Sequence, residues 1–133
     1  MLKVWVNGTF DVLHIGHIRL LEFASKFGQL RVGIDSDERV RSLKGEDRPI
    51  NGVNDRKEFL LSIKNVDDVV IFSSDDELIN EIRTYNPDII VVGGDYKGKT
   101  VIGSEFGGKV LYFDRIEGYS TTKILNYEGS SHR

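Results

Sequence analysis

The feature that most constrains the fold is a regular alternation of short apolar runs with longer amphipathic segments. Predominantly apolar runs of four or five residues lie at 2–6, 30–34, 69–72, 89–92 and 110–113. The segments between them carry apolar residues three and four positions apart, as helices do. Strands that alternate with helices form a parallel sheet covered on both faces. We therefore predict an α/β fold: a single Rossmann-like, doubly wound domain with a five-stranded parallel sheet and helices on both faces.

Capping residues, glycine and proline predict where the helices begin and end. Helices are expected at about 15–27, 35–44, 54–63, 75–85 and 120–127. Asn54 is the predicted N-cap of the third helix, with Phe59 and Leu60 on its inner face. Gly28 is placed to end the first helix in a left-handed conformation. Ligands of doubly wound sheets bind beyond the carboxyl ends of the strands, so a site is expected in the loops after strands one, two, four and five.

Composition excludes several classes of protein. The chain has 133 residues, which predicts one domain over 1–127 and a disordered tail at 128–133. It has no cysteine, which removes disulfides, thiolate nucleophiles and cysteine-bound zinc and fits a reducing, cytoplasmic location. Its longest apolar runs have four residues, far fewer than the ~20 that span a bilayer. A formal net charge of −3 does not suit nucleic acid, so we expect neither a membrane nor a nucleic acid partner.

The strongest motif is the segment GTFDVLHIGH at residues 8–17, which leaves the first strand and opens the first helix. His14 and His17 are three residues apart on a first helical turn, so they face the same way beside unpaired backbone N–H groups. Gly16 leaves the backbone between them bare. Imidazoles at a helix N-terminus suit a phosphate whose charge grows during a reaction.

Two other interpretations of these histidines stay open. Either ring can simply cap the helix or pack in the core. His14, His17 and Asp11 can also bind zinc, although no partner that would activate a water lies at a familiar spacing.

Hydroxyl side chains near the C-terminus predict a second anion site. Ser120–Thr122 follows Gly118 and precedes an apolar helix, so hydroxyls and unpaired N–H groups converge there. Such a terminus suits the β- and γ-phosphates of a triphosphate, whereas ordinary N-capping by Ser120 is the alternative. Arg115, just beyond the fifth strand, can hold a departing pyrophosphate or be a solvated surface charge.

The end of the fourth strand carries two glycines and a carboxylate. Gly93 and Gly94 permit close backbone approach to a nucleoside, and Asp95 can accept hydrogen bonds from ribose hydroxyls. A plain turn is the alternative interpretation of this segment.

With these motifs in place, the chain resembles the nucleotidyltransferases that carry the HxGH motif, here His14-Ile15-Gly16-His17. The resemblance runs from Val4 to about Ile124, and it is greatest to the adenylyltransferase domain that activates heptose 1-phosphate. The shared segments are 43–45, 47–51, 55–56, 93–97 and 117–123. Glycerol-3-phosphate cytidylyltransferase is the next most similar, through the HxGH turn, Arg56-Lys57 and the segment from Arg115 to Lys123.

The resemblance implies roles for individual residues. The implied catalytic residues are His14, His17, Lys44 and Arg115. The implied nucleotide-binding residues are Gly8, Thr9, Phe10, His14, Gly16, His17, Gly94, Asp95, Arg115, Gly118, Ser120, Thr121 and Thr122. The implied acceptor-binding residues are Asp11, Lys44 and Arg56. The resemblance also implies Mg²⁺ carried on the triphosphate rather than in a protein cage, and a homodimer.

The reaction implied by the resemblance joins a nucleoside monophosphate from an NTP to a phosphorylated sugar or polyol, with release of pyrophosphate. ATP and D-glycero-β-D-manno-heptose 1-phosphate, giving ADP-heptose, are the expected substrates. CTP and glycerol 3-phosphate, giving CDP-glycerol, are the alternative. A phosphate monoester is already a nucleophile near neutral pH, which fits the lack of an evident base–nucleophile pair. Two alternative functions belong to other classes of protein: a nucleotide-binding module without catalysis, and a metal hydrolase built on His14 and His17.

Overall fold

The computed structural model describes residues 1–114, apart from the side chain of Asp95. Its strands are β1 (Lys3–Gly8), β2 (Gln29–Asp35), β3 (Asp68–Phe72), β4 (Ile89–Gly93) and β5 (Lys109–Phe113). Its α-helices are α1 (Ile15–Ser25), α2 (Asp37–Lys44), α3 (Val53–Leu61) and α4 (Asp75–Tyr85). The predicted last helix, the tail, and the site residues Arg115, Gly118, Ser120, Thr121 and Thr122 lie outside the described residues.

The five strands form one parallel sheet in the order β3-β2-β1-β4-β5, which confirms the predicted doubly wound fold. From β1 the chain first builds outward through β2 to β3, and then returns to add β4 and β5 on the other side of β1. The winding direction therefore reverses between β1 and β4. The carboxyl ends of these two strands, at Gly8 and Gly93, border the crevice where such sheets bind ligands.

The sheet is covered on both faces because alternate strand residues point to opposite sides. Val4 and Val6 of β1 enter one core, which also contains buried side chains of α1 and of α3. Trp5, between them, enters the other core, which is formed mainly by α4. The α4 residues in this second core are Leu78, Ile82 and Tyr85. The same alternation in β4 sends Ile90 to the α4 side and its two neighbours to the opposite side.

Two predicted helix ends are wrong. The N-cap of α3 is Gly52, so Asn54 lies within the first turn of that helix and does not cap it. Phe59 is 48% exposed whereas Leu60 is fully buried, because the helix turns Leu60 alone of the two towards the sheet. α1 ends in right-handed conformation at Lys26 rather than at a left-handed glycine. Gly28 is required for a different reason, since any side chain there would collide with the Leu2 carbonyl.

We expect Gly33→Ala to lower the free energy of unfolding by about 1–3 kcal/mol, because overpacking a close-packed core has that cost. A methyl group at Gly33 in β2 would lie only 2.5 Å from Cζ2 of the buried Trp5 ring. Urea denaturation of Gly33→Ala, Trp5→Phe and the double variant measures the coupling between the two positions. The cost of Gly33→Ala should shrink in the Trp5→Phe background, and an unchanged cost would contradict the proposed clash.

Candidate active site

A cavity of about 770 Å³ opens at the carboxyl ends of β1, β2 and β4. The segment from Asn7 to Asp11, which follows β1, and the start of α1 line one part of it. Gly93, Tyr96 and residues 100–102 line the part nearer β4. The cavity thus coincides with the crevice that the strand order predicts as the ligand site.

The two histidines form a reciprocal capping arrangement at the start of α1. His14 is the N-cap residue, and its Nδ1 accepts a hydrogen bond from the Gly16 N–H at 3.0 Å. The Nδ1 of His17 in turn accepts one from the His14 N–H at 3.1 Å. The ring centroids lie 4.0 Å apart. The two rings therefore face the same way, as predicted, and the same two residues also cap the helix.

These hydrogen bonds determine which ring nitrogen carries the proton. An Nδ1 that accepts a hydrogen bond is unprotonated, so the proton of the neutral ring is on Nε2. Burial, helped by repulsion from His14, lowers the pKa of His17 from 6.5 to about 4. Within residues 1–114, the one hydrogen bond of the His17 ring is the one that its Nδ1 accepts, so its Nε2 has no protein partner there. His17 is therefore a neutral Nε2–H donor in the wall of the cavity.

Phe10 contributes to the burial of His17. Its backbone is left-handed, with φ of 50°, and its side chain is only 5% exposed. The Phe10 ring centroid lies 5.3 Å from that of His17. This ring covers one side of the imidazole and so contributes to the burial that lowers the pKa of His17.

The zinc interpretation is wrong for the part of the chain that the structure describes. In residues 1–114, no group of three or more His, Asp and Glu side chains is arranged to hold a metal ion. The Nδ1 atoms of His14 and His17 accept backbone hydrogen bonds. The Asp11 carboxylate is also fully engaged, because three N–H donors point at its two oxygens.

Asp11 organises the loop that follows α2. Its side chain is fully buried, and its carboxylate accepts hydrogen bonds at 2.8 Å from the Arg48 Nε and from the N–H groups of Ile50 and Asn51. Burial alone would raise the pKa of this carboxyl, but the Asn51, Ile50 and Arg48 donors hold it below its usual value. Asp11 lines the cavity, but its carboxylate contacts the protein's own loop, and its predicted contact with the acceptor stays a prediction.

Arg56 is also placed differently from the prediction. Its side chain is fully buried, and its guanidinium donates to the carbonyls of Thr9, Asp35 and Asn51 and to the Asp37 carboxylate at 2.7–3.0 Å. It does not line the cavity. In the described structure its donors are directed at the loops that form the site, which is a positioning role, and its predicted contact with the acceptor stays a prediction.

Among residues 1–114, three cations line the cavity: Arg39, Lys44 and Arg48. Lys44 is the exposed last residue of α2, and in the described part of the chain it forms no ion pair. Arg39 is paired with Asp35 at 2.7 Å and with Asp75 at 2.6 Å. Sequence reasoning missed Arg39 and Arg48 as site residues. The one available signal was the position of Arg48 inside the segment 47–51, which the resemblance covers.

The remaining predicted residues divide into two groups. Gly8, Thr9, Phe10 and Gly16 line the cavity together with the histidines. Gly94 does not line the cavity, and a side chain at this position would point at Asp114. The neighbouring Gly93 borders the cavity instead. The side chain of Asp95 and the residues from Arg115 onward lie outside the described part of the chain, so their predicted roles stay predictions.

Comparison with known proteins establishes the family. Residues 5–126 match the sequence profile of the cytidylyltransferase-like family. The chain belongs to this family. Among solved structures, the lipopolysaccharide core biosynthesis protein from Thermoplasma volcanium GSS1 superposes with a TM-score of 0.70 at 25% identity, over 88% of this chain and 99% of that one. A protein of unknown function from Archaeoglobus fulgidus, at 20% identity and a TM-score of 0.58, shows the fold alone.

The curated relatives of this cytidylyltransferase-like chain are longer proteins. Bifunctional protein HldE of Campylobacter fetus subsp. fetus (strain 82-40) is 50% identical over 124 residues, which are 92% of this chain and 27% of the relative. The protein of the same name from Sulfurimonas denitrificans (strain ATCC 33889 / DSM 1251) is 45% identical over 131 residues, 97% of this chain and 27% of the relative. The chain thus spans about a quarter of the length of these relatives. The predicted resemblance to a nucleotidyltransferase family is confirmed. No helix within residues 1–114 is long and apolar enough to cross a membrane.

We expect His17 to make the stability of the domain depend on pH. Its pKa of about 4 in the folded chain lies below the ordinary value of 6.5, so between these values the unfolded chain binds the extra proton. The stabilising contribution is fully present above pH 6.5 and is lost as the pH falls towards 4. His17→Asn offers an oxygen to the His14 N–H but does not titrate. Denaturant unfolding between pH 7.5 and 4.5 should therefore show a smaller loss of stability for His17→Asn, and parallel curves would contradict this assignment.

Proposed function

We propose that the chain transfers the adenylyl group of ATP to D-glycero-β-D-manno-heptose 1-phosphate, giving ADP-heptose and pyrophosphate. The observation that carries the proposal is the pair of adjacent imidazoles at the N-terminus of α1, in the wall of the cavity at the switch point. A helix N-terminus attracts phosphate, and the Nε2–H donor of His17 beside it adds a directed hydrogen bond. Membership of the cytidylyltransferase-like family supports nucleotidyl transfer as the chemistry.

In the proposed reaction, a phosphate oxygen of the acceptor forms a bond to the α-phosphorus of ATP. The bond from the α-phosphorus to the oxygen that bridges it to the β-phosphate breaks, and pyrophosphate leaves with that oxygen. A phosphate monoester is sufficiently ionised at neutral pH to attack without a general base. The protein therefore contributes position and electrostatic stabilisation, which supply most of the catalysis in phosphoryl transfer.

The histidines are suited to stabilise the charge that develops on the α-phosphate. His17 is held neutral by its burial beside Phe10, so it donates a hydrogen bond without needing to be protonated first. Its ring is fixed by the bond between its Nδ1 and the His14 N–H. Donors that are oriented before the reaction need little reorganisation, and one such donor lowers the barrier by about 3–4 kcal/mol.

The negative charge of the substrates also needs cations. Lys44 at the mouth of the cavity is the proposed contact for the acceptor, while Arg115 and the hydroxyls of Ser120, Thr121 and Thr122 are the proposed contacts for the leaving phosphates. Mg²⁺ fits this site as an ion on the triphosphate, since the carboxylates of Asp11 and Asp35 are engaged by arginines in the described structure. When bound, it would neutralise charge on the β- and γ-phosphates.

The choice of base and acceptor rests on the resemblance in segments 47–51 and 93–97 and on similarity to HldE proteins at 42–50% identity. A pyrophosphate-release assay that crosses ATP, CTP, GTP and UTP with heptose 1-phosphate, glycerol 3-phosphate and phosphocholine tests it. We expect turnover with ATP and heptose 1-phosphate. Preference for CTP and glycerol 3-phosphate would show the alternative substrates, and nucleotide binding without pyrophosphate release would show a module that does not catalyse.

Two further predictions from the resemblance accompany this proposal. We expect a homodimer, which size-exclusion chromatography with light scattering would detect as twice the chain mass of 15.1 kDa. We also expect the protein in the cytoplasm, where fractionation of cells expressing a tagged chain should recover it.

We expect His17→Asn to lower kcat for pyrophosphate release by about 10²–10³, because the variant loses the Nε2–H donor at the α-phosphate. The asparagine oxygen can still accept from the His14 N–H, so helix α1 should remain capped. Steady-state kinetics measures the effect, and circular dichroism checks that the fold is intact. Arg41→Gln, on the exposed outer face of α2, is the control and should keep wild-type turnover. Near-normal turnover of a folded His17→Asn would remove His17 from the mechanism.

A further inference from the structure

We propose that Arg48 binds the phosphate group of the acceptor, and that Asp11 is the positioning residue that orients it. This inference rests on the proposed function, since it names the residue that holds the second substrate. It concerns a side chain that the motif at the start of α1 does not contain and that sequence reasoning did not select.

The cations that line the cavity differ in how far other side chains already engage them. Arg39 is engaged twice, through its Nε with Asp35 and through a terminal nitrogen with Asp75. Lys44 forms no ion pair within the described residues, but it is exposed to solvent. Arg48 lines the cavity and its side chain is only 12% exposed, so it is the semi-buried cation of the three that is not surrounded by carboxylates.

The Arg48 guanidinium contacts the protein through one of its three nitrogens. Among the described residues its side chain has a single polar partner, Asp11, and that hydrogen bond uses Nε at 2.8 Å. Within residues 1–114, both terminal nitrogens of Arg48 are thus without a protein partner. Two parallel N–H donors on a planar guanidinium match two oxygens of a phosphate. The side of Arg48 that remains open is therefore the side that binds phosphate best.

Asp11 and the loop around it hold Arg48 in place. Asp11 cannot rotate freely, because the N–H groups of Ile50 and Asn51 fix both of its oxygens at 2.8 Å. The Asn51 side chain also donates to the Asp11 carbonyl at 2.7 Å. The Arg48 N–H donates to the Gly45 carbonyl at 3.1 Å, which turns the loop back towards the end of α2. An arginine held in this way loses little conformational freedom on binding a phosphate.

The position of Arg48 relative to the histidines favours the phosphate of the acceptor as its ligand. Asp11 precedes His14 by three residues, so Arg48 is tethered to the segment that presents the histidines. The α-phosphate is proposed to lie on those histidines, and the attacking phosphate must come within about 3.5 Å of it. Two anions at that distance repel each other, and a guanidinium next to the incoming one offsets the repulsion. Arg48, four residues after Lys44 at the end of α2, is positioned to do this.

The test measures binding, so that it does not depend on turnover. Isothermal titration calorimetry measures the Kd of D-glycero-β-D-manno-heptose 1-phosphate in the presence of α,β-methylene-ATP, and the Kd of α,β-methylene-ATP alone. Arg48→Lys keeps the charge but cannot contact Asp11 and a phosphate through separate nitrogens. We expect it to weaken binding of the sugar phosphate about tenfold or more and to change binding of the nucleotide less than twofold. Arg41→Lys makes the same chemical change on the exposed face of α2 and should leave both Kd values unchanged.

Asp11→Asn tests the positioning role, because it keeps the size of the side chain but weakens the contact with Arg48. It should weaken binding of the sugar phosphate selectively, whereas a purely structural defect would weaken binding of both ligands. The proposal is overturned if Arg48→Lys binds the sugar phosphate as wild type does, if it loses the nucleotide instead, or if the wild-type protein does not bind the sugar phosphate. A wild-type protein that binds the sugar phosphate through Arg48 but releases no pyrophosphate would overturn the proposed function and leave the assignment of Arg48 standing.

Discussion

The site depends on one buried guanidinium, that of Arg56. Thr9 follows β1, Asp35 ends β2 and Asn51 precedes α3, and the carbonyls of all three accept hydrogen bonds from Arg56. Chain segments beyond the ends of strands have no neighbouring strand to satisfy their backbone groups, and unpaired carbonyls in a buried place are costly. Arg56 supplies the missing donors and draws the three loops together. The segment that carries the histidines, the end of β2 and the loop of Arg48 thereby become one wall of the cavity.

The charges of this wall are arranged in two ways. The imidazole that faces the proposed α-phosphate is kept neutral, with the pKa of His17 at about 4, so its role is to donate a hydrogen bond rather than to carry charge. The positive charge comes instead from side chains whose partners hold them in place, as Asp11 holds Arg48. Asp11 and Arg56 act through other residues, and together they orient donors that a ligand would contact. A site built in this manner needs little rearrangement when its substrates bind.

The sequence errors share a physical cause. Asn54 and Gly28 were each interpreted from local signals: a capping side chain and a flexible backbone. Tertiary contacts overrode both. Gly52 is the N-cap of α3, one residue before Val53, and the Leu2 carbonyl occupies the space beside Gly28. The acceptor contact of Arg56, which the resemblance implies, stays a prediction, and in the structure the surrounding loops use its donors for their own carbonyls. In contrast, the spacing of His14 and His17 predicted their shared face correctly, because that geometry is decided within a single helical turn.

By itself, the sequence determined the alternation of strands and helices, the parallel sheet, the position of the turn with the two histidines after β1, and the family. These follow from the periodicity of apolar residues and from residues only a few positions apart. Only the tertiary structure decided that Asp11 and Arg48, which are 37 residues apart, form a pair, and that Arg56 is buried rather than directed at a ligand. The reason is that the partner of a charged side chain, and its exposure to water, depend on which loops the fold brings together, and no local spacing encodes that.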